Sequence, residues 1–86
     1  MSNEKLDQLV DEIIETHERA GFNSIFMVCP DACGVTESEL KEAVEQVESA
    51  LRADNPGDEI FSALTACDGG GVFALSFINA NTILTV

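Results

Sequence analysis

Basic residues are what this chain has least of. Lys and Arg number four in 86 residues, against sixteen Asp and Glu, for a formal net charge of −12 at pH 7. Neutralising a phosphate backbone requires clustered Lys and Arg, so direct binding of nucleic acid is excluded. Long apolar runs are missing too: no segment approaches the roughly 18 to 20 residues that cross a bilayer. The first twelve residues, MSNEKLDQLVDE, are charged and acidic, unlike a signal peptide. Cysteines are few and odd in number, three, which argues for reduced thiols rather than a disulfide framework. Together these absences point to a cytoplasmic protein. There is no internal repeat, low-complexity stretch or linker, so residues 1–86 read as a single domain. At this length about 60% of the unfolded chain's surface is buried on folding.

What is present is organised. Hydrophobic residues make up 45% of the chain, enough for a folded core despite the charge. In residues 2–20, Leu6, Leu9, Val10, Ile13 and Ile14 recur at helical spacing, with Glu4, Asp7, Asp11, Glu15 and Glu18 opposite. Gly21 supplies a left-handed stop, and Phe22 is expected to fold back on His17. NSIFMVCP is a continuous apolar run, expected to be a strand covered on both faces or lying at the centre of a sheet. Thr36 with Glu39 makes a capping box, and Val35 with Leu40 a hydrophobic staple. The helix that follows should bury Leu40, Ala43, Val44, Val47, Ala50 and Leu51, and end at DNPG, residues 54–57.

Beyond Asp58 the period changes. DEIFSALTAC, VFALSFI and TILTV read as three strands of a meander, separated by DGGG and NAN. Residues 58–67 also satisfy a helical spacing, but strand is the preferred reading. The fold expected is α+β, a two-layer sandwich in the order α-β-α-β-β-β. Two helices cover one face of a mostly antiparallel sheet, the face carrying Phe73, Leu75 and Phe77. The other face, with Ala63, Thr65, Ala74 and Ser76, is open to a partner or a second copy.

Chemistry-bearing residues are sparse. Cys29 closes the first strand and Cys33 lies three residues ahead of Thr36, where unpaired amides and a helix dipole favour a thiolate. The segment VCPDACGVTESELKEAVEQV resembles the strand–Cys–helix corner of thioredoxin-like proteins and the first cluster-binding corner of thioredoxin-fold 2Fe-2S ferredoxins. The resemblance covers some 20 of the 86 residues. It implies a thiol or iron–sulfur module using Cys29, Cys33 and Cys67, with a fourth ligand from Asp68, His17 or another subunit. The chain departs from the pattern at three points. Three residues rather than two separate Cys29 from Cys33, only Cys67 follows, and no proline lies beyond Pro56 to act as the opposing cis-proline. The competing reading makes Cys29 and Cys67 small core residues and Cys33 a turn residue. Neither metal nor cofactor is expected.

The run Gly69–Gly71 is followed by a strand, and no basic residue lies beyond Arg52, so it reads as a hairpin turn rather than a phosphate loop. Asp31 is a turn-former. His17 has no triad partner at a recognisable spacing and reads as a structural group at a helix end.

The acidic stripes remain. On one helix face, carboxylates recur about every 5.4 Å; Glu42, Glu45 and Glu48 repeat this on the second helix. Side by side the two rows approach one charge per roughly 2.7 Å, against about 1.7 Å for duplex DNA. The expected function is therefore a small, acidic, non-enzymatic binding or inhibitor protein. Glu4, Asp7, Asp11, Glu15, Glu18, Glu42, Glu45 and Glu48 would dock a basic protein surface, one form of which is a nucleic-acid channel. In size and charge the chain is similar to phage-encoded inhibitors of host defence and to immunity proteins of nuclease toxins. The alternatives are the thiol or iron–sulfur module and a self-associating structural subunit that forms a homodimer through the open sheet face.

Overall fold

The computed structural model describes residues 2–67 and 71–83. Helix α1 spans Ser2–Ala20, strand β1 Ile25–Val28, a one-turn helix α2 Pro30–Cys33, and helix α3 Glu37–Asp54. Strands β2, Ile60–Ala66, and β3, Phe73–Asn79, follow, and Ala80–Ile83 form a last helical turn, α4. The strands make one antiparallel sheet in the order β1-β3-β2. α1 and α3 lie together on one face of it, which is the α+β sandwich that the period change implies.

Each long helix is bounded by local chemistry. The Gly21 amide, at φ +83°, donates to the His17 carbonyl at 2.7 Å and closes α1 in a left-handed cap. Phe22 then folds back so that its ring lies edge-on to His17, with centroids 4.6 Å apart. At the start of α3, the Thr36 hydroxyl accepts from the Glu39 amide at 3.1 Å and the Glu39 carboxylate accepts from the Thr36 amide at 2.9 Å. The box satisfies two amides that the helix itself leaves unpaired. Val35 and Leu40, at the staple positions, are both buried. At the other end the Asn55 amide and side-chain nitrogen both donate to the Leu51 carbonyl.

The core forms between the helix layer and the inner side of the sheet. Leu9 and Ile13 of α1 and Leu40, Ala43, Val44 and Val47 of α3 meet Val28, Phe73, Leu75 and Phe77. The register alternates as strand geometry requires: Phe26, Val28, Leu64 and the odd positions of β3 face inward. Ile25, Met27, Phe61, Ala63, Thr65, Ala74, Ser76 and Ile78 consequently share the outer side.

Three expectations are corrected. β1 is neither central nor covered on both faces. It is a four-residue edge strand whose Ile25 and Met27 are 73% and 60% exposed. Two helices cover only one face, and the centre belongs to β3, which pairs on both sides. The final strand expected over TILTV is absent from residues 80–83, which turn into α4. The Asn79 side-chain oxygen accepts from the Asn81 amide, and Asp58 accepts from the Asn79 and Asn81 side-chain nitrogens. These bonds bend the chain off the sheet, and residues 84–86 lie outside the described set. Ala50, placed in the buried stripe, is exposed, because its position falls on the flank of α3.

The capping box is the most local of these determinants, so its removal has a clear expected size. Thr36→Ala should lower unfolding stability by about 1 kcal/mol. In urea titration this reads as a lower midpoint with an unchanged slope.

Candidate functional site

The outward side of the helix layer carries the charge. Glu4, Asp7, Asp11, Glu15 and Glu18 of α1 are all exposed, as are Glu42 and Glu45 of α3. At 100° per residue these positions point away from Leu9, Ile13, Leu40 and Val47. Glu42, Glu45, Gln46 and Ser49 line a shallow depression on α3. Lys5, near the start of α1, reaches to within 4 Å of where a side chain at Gly34 would begin, so both helices have their N-terminal ends at the same end of the molecule. Glu4, Glu37 and Glu39 sit in those first turns, where carboxylates oppose the positive dipole ends.

Glu48 behaves differently from the other predicted docking residues. It is half-buried, accepts a hydrogen bond from the Ser62 hydroxyl, and pairs with Arg52 at 2.6 Å. Arg52 in turn donates from Nε to the Ile60 carbonyl at 3.0 Å. This chain of bonds ties α3 to the free edge of β2. Glu48 therefore belongs to the framework, on the flank of α3 rather than its crest. Lys41 is also engaged, with Glu37 at 3.3 Å.

The cysteine corner is built by backbone rather than by thiols. Cys29 is the N-cap of α2 without a side-chain cap bond, Pro30 is buried at the first helical position, and Gly34 closes the turn at φ +74°. The Gly34 and Val35 amides donate to the Asp31 and Pro30 carbonyls. Cys29 is exposed and Cys67 half-buried. Val28 and Ala66 both pair with Phe73, from opposite sides. Cys29 and Cys67, one position further on each strand, are thus two strand spacings apart, about 9 to 10 Å. That is beyond disulfide reach. The side chain of Cys33 and the whole of Asp68 lie outside the described residues. His17 lies towards the opposite end of β3, against Phe77. Among the described residues no three His, Cys, Asp or Glu side chains gather closely enough to hold a metal ion. β2 and β3 pair antiparallel, and just beyond their last pair the Cys67 amide donates to the Val72 carbonyl at 3.0 Å.

His17 is 6% exposed and wedged edge-on between Phe22 and Phe77, at centroid distances of 4.6 and 5.3 Å. Its Nδ1 has no hydrogen-bond partner among the described residues. Burial lowers its pKa below the usual 6.5, against a smaller upward pull from the Glu18 carboxylate. The ring is held neutral as a core aromatic.

Of two further surface features, the first had no signal in the sequence and the second only part of one. A cleft of about 160 Å³ runs between α1 and β1, lined by Leu9, Ile13, Phe26 and Val28 with Glu12, Thr16 and Cys29 at its margins. On the open side of the sheet, a hollow of about 80 Å³ is lined by Ile25, Ala63, Thr65, Ala74 and Ser76. Ile25, Met27 and Phe61, the exposed large hydrophobics, all stand on that side. The small residues of the hollow were legible as the open face; the large ones beside it were not.

No protein family, curated protein or solved structure matches this chain. Among the described residues no helix is long and apolar enough to cross a membrane.

The neutral, buried His17 has a pH signature. Unfolded chains take up a proton at about 6.5, and the folded state resists it. The stability of wild type relative to His17→Phe should be highest above pH 6.5 and fall as pH drops from there towards the lowered folded-state value. The slope is at most about 1.4 kcal/mol per pH unit. Urea unfolding of both proteins between pH 7.5 and 5 measures it; a constant difference would show that the ring is not desolvated.

Proposed function

We propose that this chain is a small, non-enzymatic binding protein, acting in the cytoplasm, whose acidic helix layer docks a basic protein surface. One observation supports this reading above the others. Seven exposed carboxylates from two neighbouring helices share the outward side of one layer. Two of the four cations are engaged with acids outside this set, Lys41 with Glu37 and Arg52 with Glu48, which leaves Lys5 and Arg19 against seven carboxylates. The docking set is Glu4, Asp7, Asp11, Glu15, Glu18, Glu42 and Glu45, with Glu48 acting behind it as a brace.

The physical logic is steering. A surface of one sign raises the rate at which a basic groove is found and selects against acidic partners. Its reach at physiological salt is about 8 Å, so the final complex depends on the rows of carboxylates matching a row of Lys or Arg on the partner. A nucleic-acid channel is one surface with such a row, because it is built to receive repeated phosphates.

The test begins with a pull-down from the host cell, using Asp11→Lys/Glu15→Lys/Glu42→Lys as control bait. For the partner retained by wild type, the triple reversal should cut the association rate tenfold or more while circular dichroism stays unchanged. Affinity should also fall steeply between 50 and 500 mM salt. An affinity indifferent to both salt and the reversals would overturn the acidic-docking function.

A further inference from the structure

The strands of this acidic chain carry no charged residue. None of the strand residues on the open side of the sheet is charged, in a protein of net charge −12. Glu59, just ahead of β2, sits at a corner of that side, exposed to water. The same side holds Ile25 at 73% exposure, Met27 at 60% and Phe61 at 47%. An uncharged face with three exposed large hydrophobic residues on a small domain marks an interaction surface rather than a solvated one.

We propose that the occupant of this face is a second copy of the chain, packed back to back in a weak two-fold dimer. The charge distribution selects it. Two copies of net charge −12 repel in any orientation that brings their helix layers together. Back to back, the two sheets lie about 10 Å apart with a helix layer roughly 10 Å beyond each, so the acidic rows stand some 30 Å from one another. That is nearly four screening lengths of about 8 Å at physiological salt, and the repulsion is largely removed. The relief of the face also suits a copy of itself. The 80 Å³ hollow is lined by Ile25, Ala63, Ala74 and Ser76, and the exposed Met27 and Phe61 stand at neighbouring register positions, beside Ala74 and Ile78. A two-fold axis lying between the two sheets sets the projections and hollow of one face against those of the other, and such an isologous contact closes at two copies.

Area sets the strength. Three strands of up to seven residues span roughly 300 Å² in plan, and side-chain relief raises the accessible area above that. Two such faces reach only the low end of specific interfaces, below the roughly 1,600 Å² of standard ones. The dimer should therefore dissociate on the order of 100 µM. Its outer sides would present an acidic layer in each direction, independently of whether those layers dock a basic partner.

Sedimentation velocity of the purified protein from 5 µM to 1 mM tests this. A monomer–dimer shift across that range is expected, with Ile25→Lys and Met27→Lys each holding the protein monomeric at 1 mM. Both side chains are exposed, so neither change should disturb the fold, which circular dichroism verifies. Glu15→Lys/Glu42→Lys should leave the dimer intact, and 0.5 M salt should preserve or strengthen it. Concentration-dependent amide shifts in NMR should fall on Ile25, Met27, Ala63, Ala74 and Ser76. A protein that stays monomeric at 1 mM in both low and high salt overturns the proposal. A dimer whose shifts map to α1 or α3, or which survives Met27→Lys and Ile25→Lys, overturns it equally. The opposite salt response separates this contact from acidic docking, so either can fail alone.

Discussion

β3 pairs on both of its sides, and the remaining elements take their positions from it. Its odd residues, Phe73, Leu75 and Phe77, form the floor on which both helices rest, and Leu75 and Phe77 are fully buried. Phe77 also meets His17 of α1 and Phe26 of β1. The Asn23 amide donates to the Phe77 carbonyl, and the Asn23 side chain accepts from the Asn79 amide. Asn23 reaches this position at φ +66°, a conformation Asn tolerates better than most residues. A seven-residue strand thereby holds the first turn of the fold, the sheet and the core in one register.

From that single floor follows the division of the surface. Two helices suffice to cover one side of a three-stranded sheet, so the charge collects on their outward faces and the apolar residues of the other side stay uncovered. Glu48 and Arg52 show how the boundary is handled. They turn inward to Ser62 and the Ile60 carbonyl, occupying part of the free edge of β2 that would otherwise offer unpaired backbone groups. β1 has no such cover from a charged side chain within its own span, Ile25–Val28.

The parts legible in the sequence were those decided within one turn or one alternation. Thr36 and Glu39 announce the start of α3 because both bonds of the box are local, and Gly21 announces the end of α1 for the same reason. The alternation of β3 and the hairpin after Cys67 are local too. What was not legible depended on distant partners. IFMV reads as a buried strand, because an unbroken apolar run does not reveal how many of its faces the rest of the chain covers. Thr82 and Ile83 read as the start of a strand, yet Asp58, some twenty positions upstream, binds Asn79 and Asn81 and the chain enters α4 there. Glu48 repeats with Glu42 and Glu45 in sequence, but Ser62 lies beside it only once β2 is in place. Of the acidic site, seven positions were visible as a periodic stripe; the match between the two helices needed the fold.

The pairing of β1 with β3 sets a condition on how the molecule is made. Ile25 finds its partner at Ser76, and Val28 at Phe73. β2 and β3, by contrast, are neighbours joined by a short loop. Closing the longer connection carries the larger entropic cost, so the β2–β3 hairpin is the natural early unit and β1 the late arrival. During synthesis α1 and β1 leave the ribosome before β2 and β3, with no sheet to join. Phe26 and Val28 then have no inner face to pack against until residue 79 has emerged, and through that interval the six carboxylates of α1 are a nearby guard against association with other nascent chains.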